Sequence, residues 1–350
     1  MLKRQTKRND DSTQSHFASG SRGVTMKLPR RKFLHLAAGA ATLPSLSLVA
    51  SADDYPTRPV KIVVGFAAGG AVDIVARLIA QWLSERIGQQ CVVENRPGAG
   101  NNIATEYVLK SDPDGYTLLL ANPTNAINAT YYENLPYDFI RDSAPVAGIM
   151  RVPNVMEISP LLSAKTVPEF IALVKANPGK LAYATGGNGT SVHMSAELFK
   201  LMTKTDILNV TYRGLALAYT DLMMNRVQVT FDNLPGSIGF IRQGKLHALA
   251  VTTTARSPAL PDIPALAEFI PGYEASAWYG VSAPRNTPQA VIGRLNKEIS
   301  AGLADPALQA RLVDLGGMIV PGSPADFGKL VSDETEKWAK VIKFAAIKPQ

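Results

Sequence analysis

The sequence contains 350 residues, of which 46% are hydrophobic, and its formal net charge is +7 at pH 7. This charge does not indicate a nucleic-acid partner, because residues 1–52 hold nine basic and two acidic residues and leave the rest of the chain with 27 of each sign. The length is sufficient for about two domains. We therefore expect a globular body without net charge, preceded by a basic leader.

The basic leader resembles a twin-arginine export signal. Arg30 and Arg31 are consecutive and precede an apolar run over residues 34–50, and the small residues before and at Ala52 are typical of a cleavage site. An uncleaved membrane anchor is the alternative, but glycine and proline interrupt the run, which is short for a span of ~20 residues. The leader therefore predicts a periplasmic protein, with a signal that begins near Met26 and is cleaved after Ala52.

Short apolar strands alternate with amphipathic helices from residue 55 onward, a pattern typical of an α/β fold with a mostly parallel sheet. The predicted strands are 60–64, 91–94, 116–120, 145–158, 181–185, 207–212, 227–231, 248–252 and 275–283. The predicted helices are 71–87, 103–110, 166–177, 192–203, 218–225, 288–303, 306–314 and 324–343. A polar loop is expected over 122–125, at the carboxyl end of the third strand.

Two long extended runs, over about 146–158 and 275–283, bracket a self-contained α/β block. We interpret them as two hinge strands that cross between two lobes. The predicted organisation has three parts: an N-terminal extension and signal over 1–52, a first lobe over 53–150 plus 280–350, and a second lobe over 151–279.

Two segments, over 60–73 and 181–193, share one design: a strand, a glycine-rich turn and a helix with a polar start. The glycines of these turns are Gly69, Gly70, Gly187 and Gly189. Such turns direct free backbone N–H groups and a positive helix end at one spot, which favours an anion. A dinucleotide-binding turn is an alternative, although the Gly-x-Gly-x-x-Gly pattern is missing, and a purely structural turn is another.

Four further side chains are candidates for a site. Asp73 either braces the first turn or accepts a hydrogen bond from a ligand, and bracing is favoured because a carboxylate repels an anion. His193 lies near the ligand or supports the turn structurally, and no cluster around it has the spacing of a zinc site. Arg213 ends a strand and could bind a carboxylate, unless it is a solvated loop residue. Asp232 also ends a strand, where open α/β folds bind ligands, and a salt bridge to Arg213 is the competing interpretation.

Several ordered motifs of the chain resemble the tripartite tricarboxylate transporter receptor family, also known as Bug-type periplasmic solute-binding proteins. The motifs are Tyr55-Pro56-x-Arg58-Pro59-Val60, Gly69-Gly70-x-x-Asp73, Glu94-Asn95-Arg96-Pro97-Gly98-Ala99-Gly100, Asp114-Gly115-Tyr116-Thr117, Gly187-x-Gly189-Thr190-x-x-His193, Tyr212-Arg213-Gly214 and Phe231-Asp232. The resemblance covers nearly the whole chain after the leader. One departure is the first loop, where the family commonly has a proline before the glycines.

The resemblance implies a two-lobed periplasmic binding protein of the type II, Venus-flytrap class, which presents a small carboxylate to membrane subunits of a tripartite tricarboxylate transporter. It implies no catalysis, cofactor or metal, and we expect a monomer. Together with the residues argued above, the predicted ligand-binding residues are Phe66, Ala67, Ala68, Gly69, Gly70, Asp73, Thr185, Gly187, Gly189, Thr190, His193, Arg213 and Asp232.

Two other functions stay open at this level. One is a ligand-sensing subunit that docks onto a signalling protein, which the sequence does not distinguish from a transport receptor. The other is a hydrolase or isomerase of an acidic metabolite, which needs a nucleophile next to a base. Ser191 and His193 are the nearest candidates for such a pair, but residues two apart on a helix do not face each other.

Overall fold

A computed structural model describes residues 55–344 and 347. The predicted export signal and its cleavage site lie outside the described residues. The strands are β1 Val60–Val64, β2 Cys91–Asn95, β3 Thr117–Ala121, β4 Ser143–Ile158, β5 Ala182–Thr185, β6 Leu208–Thr211, β7 Val229–Asn233, β8 His247–Val251, β9 Ser276–Pro284 and β10 Met318–Ile319. The helices are α1 Ala71–Arg86, α2 Asn102–Leu109, α3 Pro123–Tyr131, α4 Phe139–Asp142, α5 Val167–Ala176, α6 Ser191–Thr203, α7 Tyr219–Met223, α8 Leu234–Arg242, α9 Gln289–Ala304, α10 Pro306–Asp314 and α11 Pro324–Phe344.

The strands join in the order β2-β1-β3-β9-β4-β7-β5-β6, with β8 and β10 paired to β4. Strands β1, β2 and β3 are parallel to one another, and so are β5, β6 and β7. Every pairing made by β4 and β9 is antiparallel. The expectation of a mostly parallel sheet is therefore wrong for the centre of the molecule, where two long strands run against their neighbours.

These two long strands connect two lobes. The first part of β4 pairs with β9, and residues 154–158 of β4 pair with β7. We call the side with β1, β2, β3 and β10 lobe 1, and the side with β5, β6, β7 and β8 lobe 2. Lobe 1 has a core around buried Ile62, Ile79 and Leu295, and lobe 2 has one around buried Phe199 and Phe231.

The C-terminal helix α11 packs against both lobes. Its first half contributes Phe327 to a cluster with β1 and β3, whereas Trp338, near its end, is fully buried in the core of lobe 2. Between them, buried Glu334 forms an ion pair of 3.1 Å with Arg151 of β4 and accepts a hydrogen bond from the Trp338 indole. The chain positions at which one lobe ends and the other begins, near 150 and 280, stay a prediction.

Three helices, α3, α4 and α8, differ from the sequence-based prediction, and α3 and α8 begin directly after a strand. The polar segment 122–125 is the start of α3, because the side chain of Asn122 caps the helix and Pro123 occupies its first turn. Helix α8 was not predicted, because its glycines and Pro235 weaken the helical pattern. Helices α3 and α8 position their first turns at the site described next.

Candidate functional site

Four helices begin at one small cavity between the lobes. The cavity has a volume of about 40 Å³ and is lined by the N-cap residues Gly70 of α1, Asn122 of α3, Thr190 of α6 and Asn233 of α8. Two of these helices follow strands of lobe 1 and two follow strands of lobe 2. Because the first N–H groups of a helix have no partner within the helix, the cavity is surrounded by four positive helix ends.

The complete lining of the cavity is mostly backbone and small or polar side chains. It consists of Phe66, Ala67, Gly70, Ala71, Val72, Asn122 and Thr124 from lobe 1, and Gly186, Thr190, Ser191, Val192, Leu215, Asp232 and Asn233 from lobe 2. One carboxyl group, that of Asp232, is present in this lining, and no lysine, arginine or histidine is. The arrangement therefore favours an anion through backbone donors and helix ends.

The first glycine loop is held by Asp73, in the first turn of α1. Its carboxylate accepts hydrogen bonds from the Gly69 N–H at 2.9 Å, from the Arg77 guanidinium at 2.8 and 2.9 Å, and from the Asn95 amide at 2.9 Å. Burial opposes the ionisation of Asp73, but these donors outweigh it and lower the pKa of the carboxyl. Asp73 thus fixes the loop, while the cap position of α1 itself, Gly70, offers no side chain to its N–H groups.

The second glycine loop is held by two threonines. The Thr190 hydroxyl donates to the Gly187 carbonyl at 2.7 Å and accepts from the His193 N–H at 3.2 Å, and the Thr185 hydroxyl donates to the same carbonyl at 2.9 Å. His193 is buried beside Tyr131 and Tyr183, and its Nδ1 accepts from the Gly189 N–H. Burial lowers the pKa of His193 to about 4, so the imidazole is neutral at pH 7.

Backbone contacts connect the lobes on either side of the cavity. The Ala67 N–H of lobe 1 donates to the Arg213 carbonyl of lobe 2 at 3.2 Å. A second contact joins the left-handed turn at Gly100, in lobe 1, to the loop at Gly187 and Asn188, where a Cβ atom on Gly100 would meet the Asn188 carbonyl oxygen at 2.3 Å. The lobes are therefore closed on each other.

The predicted site residues fall into three groups. Phe66, Ala67, Gly70, Thr190 and Asp232 line the cavity. Asp73, Thr185, Gly187, Gly189 and His193 stand behind it, where they hold the two loops. Ala68 and Gly69 are exposed, and the exposed Arg213 lines a separate groove with Gly98 and Asn188, without an ion pair to Asp232.

Sequence reasoning missed the residues that two further helix starts bring to the cavity: Asn122, Thr124 and Asn233. The signal for the first two was present, because a polar Asn-Pro-Thr-Asn segment follows the buried strand β3, and ligands bind beyond the carboxyl ends of strands in such folds. The same signal was present for Asn233, which directly follows Asp232 at the carboxyl end of β7. It reaches the cavity because β7 pairs antiparallel with β4, and its amide donates to Asn154 and Ser191.

Over residues 55–344, the structure contains no group of three or more His, Cys, Asp and Glu side chains that could hold a metal ion. Within the same range, none of the helices combines the length and the apolar character needed to cross a membrane.

Comparison with known proteins gives consistent matches. A family described as "Tripartite tricarboxylate transporter family receptor" matches residues 75–347. The protein Rpa4515 of R. palustris, solved with adipate, is 40% identical, with a TM-score of 0.83 over 85% of this chain and 100% of that one. The periplasmic binding protein BugD is 33% identical, with a TM-score of 0.82 over 85% and 100% of the two chains. MatC from Rhodopseudomonas palustris, solved with bound malate, is 31% identical, with a TM-score of 0.79 over 82% and 100%.

The fold and the closed, anion-favouring cavity define a two-lobed periplasmic solute-binding protein of mixed α/β architecture. The chain belongs to the tripartite tricarboxylate transporter receptor family, which includes the Bug proteins. This is a family of non-enzymatic binding proteins, as the sequence resemblance predicted.

Proposed function

We propose that this protein captures a small carboxylate between its two lobes and delivers it to membrane subunits of a tripartite tricarboxylate transporter. The observation that carries the proposal is the convergence of four helix N-termini, those of α1, α3, α6 and α8, on one cavity. A helix end stabilises a nearby anion by about 0.3–1 kcal/mol at a surface and by up to about 2 kcal/mol when partly buried. Four such ends favour an anionic ligand by several kcal/mol.

The polarity of the lining supports a carboxylate that is bound by backbone N–H groups and hydroxyls. Gly70 and Asn233 provide no side-chain cap to α1 and α8, so that N–H groups of both first turns are available to a ligand. The hydroxyls of Thr124 and Ser191 add donors from either lobe. The relatives solved with adipate and malate, both dicarboxylates, support the same chemical class.

Capture on this proposal is a hinge motion about β4 and β9. The contacts at Ala67–Arg213 and Gly100–Asn188 close the cavity, so a ligand enters and leaves only when the lobes separate. The ligand shifts the population toward the closed form, and the size of the shift is set by the difference between its affinities for the closed and open forms. As part of this proposal, the lobes divide near residues 150 and 280, the leader is a twin-arginine signal cleaved after Ala52, and the receptor is monomeric.

The proposal predicts that small dicarboxylates stabilise the purified protein against unfolding. Adipate or malate at 100 times its Kd should add about 2.7 kcal/mol to the free energy of unfolding, which a thermal-shift assay detects. Hexane-1,6-diamine, which has the chain length of adipate and the opposite charge, is the matched control and should give no shift. If no mono-, di- or tricarboxylate stabilises the protein, the proposed function is wrong.

The cap of α6 should matter for both stability and binding. Thr190→Ala removes the hydroxyl that holds the Gly187 carbonyl and the His193 N–H, so we expect a loss of about 1–2 kcal/mol in unfolding free energy and at least tenfold weaker adipate binding. Thr166→Ala is the control, because Thr166 caps α5 through the Glu169 N–H, at an exposed position. It should lower stability by a similar amount and leave the Kd unchanged. If both variants bind adipate with equal Kd values, Thr190 is not part of the binding site.

A further inference from the structure

Two carboxyl groups, one in the cavity wall and one behind it, lie on the same face of the lobe 2 sheet. Asp232 of β7 stands opposite Val155 of β4, and Glu157 follows two positions later on β4. Because side chains alternate between the faces of a strand, Val155 and Glu157 point the same way, and Glu157 is a diagonal neighbour of Asp232. Asp232 lines the cavity, whereas Glu157 does not.

Both acids are buried without a cationic partner. Glu157 is 0% exposed and Asp232 is 2% exposed, and neither forms an ion pair with a described residue. Neither carboxyl oxygen of Glu157 has a hydrogen-bond partner among the described residues. An unpaired buried carboxylate is so unfavourable that such a group binds a proton instead.

Two further buried polar groups near the pair have no hydrogen-bond partner among the described residues. The Ser237 hydroxyl, fully buried on α8, lies against both carboxyls without a hydrogen bond of ordinary geometry to either. The buried Tyr279 hydroxyl of β9 likewise has no partner among the described residues and lies within the electrostatic reach of Asp232. Two hydroxyls and two carboxyls therefore lie together in a buried polar region beside the cavity.

Elements α7, β8, β9 and α1 surround Glu157 and Asp232. Helix α7 provides the Tyr219 hydroxyl, which donates to Asp232 at 2.7 Å, and β9 provides Tyr279. Strand β8 places the apolar Ala248 opposite Glu157. The N-terminus of α1 approaches from lobe 1, since a Cβ atom on Gly236 would touch both the Asp232 carboxyl and the Ala71 N–H.

Burial dominates the protonation of both acids. It raises the pKa of Asp232 to about 7, against hydrogen bonds from Tyr219 and the Asn233 N–H that favour the ionised form. Burial, and then the charge of Asp232, raise the pKa of Glu157 well above its usual value. Near neutral pH the pair therefore retains one proton and is close to binding a second.

We propose that Glu157 and Asp232 form a proton-binding site of the cavity, which takes up one proton from solvent when a carboxylate ligand is bound. This inference rests on the proposed function, because the ligand's negative charge drives the uptake. The incoming proton bonds to a carboxyl oxygen of Asp232, which changes from an acceptor that repels the ligand into an O–H donor to it. The pair thus makes the cavity selective for anions over amines.

The test is isothermal titration calorimetry with adipate between pH 6 and pH 9, in paired buffers that differ in ionisation enthalpy. We expect uptake of up to one proton per adipate, largest above pH 7, and an affinity that falls by up to about tenfold for each pH unit above pH 7. Asp232→Asn should bind adipate with no proton uptake and an affinity independent of pH. Glu334→Gln, which alters a buried acid outside the cavity, should retain the uptake.

Tyr219→Phe gives a second readout if Asp232→Asn does not fold. Loss of the Tyr219 hydroxyl removes a donor to the carboxylate form, so the uptake should move to higher pH. Adipate binding without proton uptake across this pH range, or unchanged uptake in Asp232→Asn, would overturn the proton site alone. Failure of every carboxylate to bind at any pH is a different result, which would overturn the proposed function and the proton site together.

Discussion

Gly100→Ala should weaken adipate binding by at least about 100-fold while leaving the protein folded. Gly100 sits in a left-handed turn of lobe 1, with φ at 55°, and a Cβ atom there would lie 2.3 Å from the Asn188 carbonyl oxygen of lobe 2. The backbone of Asn188 cannot rotate away as a flexible side chain does, so the added methyl group disfavours the closed form. The open form is not disfavoured, because the two lobes are then apart. A 100-fold loss corresponds to about 2.7 kcal/mol.

The control for this variant is Gly244→Ala. Gly244 also has a positive φ, 68°, but a Cβ atom there would meet nothing within 4 Å. Both variants carry the conformational strain of alanine in the left-handed region, roughly 1–2 kcal/mol, and only Gly100→Ala blocks closure. The measurements are the Kd for adipate by calorimetry and the unfolding free energy by urea titration. Adipate bound equally well by both variants would show that the contact at Asn188 is not needed for capture.

Glu157→Gln should stabilise the protein, and the gain should grow with pH. The folded pKa of Glu157 is raised far above that of the unfolded chain, so the native state holds a proton that the unfolded state releases. The contribution of Glu157 to the free energy of unfolding is therefore highest below about pH 4.5. It falls by ~1.4 kcal/mol for each pH unit until the pH passes the pKa of Glu157 in the folded protein. Glutamine, which does not ionise, removes this loss.

The two buried glutamates should respond with opposite signs. Glu334 is 4% exposed but paired, with Arg151 and with the Trp338 indole, so Glu334→Gln breaks an ion pair and should lower stability by roughly 1–3 kcal/mol. Urea unfolding at pH 5, 7 and 8 measures both variants against the unsubstituted protein. A Glu157→Gln variant that is no more stable at pH 8 than at pH 5, relative to the unsubstituted protein, would contradict the assignment of an uncompensated buried acid.

Local contacts were the part of the site that the sequence predicted well. Asp73 was predicted to brace the first loop, and it reaches Gly69 within one helical turn. Thr190 was predicted to bind the ligand, and its role as the cap of α6 was not predicted. The strand bounds of β1 and the helix bounds of α10 were likewise predicted, because hydrophobic periodicity and proline at the first turn act within a few residues. For His193 the sequence left two roles open, and its burial beside Tyr131 and Tyr183 places it behind the cavity.

Long-range pairing was the part that the sequence left undecided. The meeting of Glu157 with Asp232 depends on the antiparallel register of β4 and β7, and a shift of one residue would turn Glu157 to the other face. The same pairing brings Asn233 to the cavity. Arg213 shows the converse, because a strand-end arginine that the sequence suggested for the cleft is exposed in a separate groove.

The sequence by itself determined the α/β class, the family, the two glycine loops and the role of Asp73 in bracing the first loop, since each of these depends on motifs or on contacts within one or two turns of chain. Only the tertiary structure decided that four helices begin at one cavity and that a second acid lies behind Asp232. The physical reason is the antiparallel course of β4 and β9, which brings together residues more than 70 positions apart, and no periodicity along the chain encodes that register.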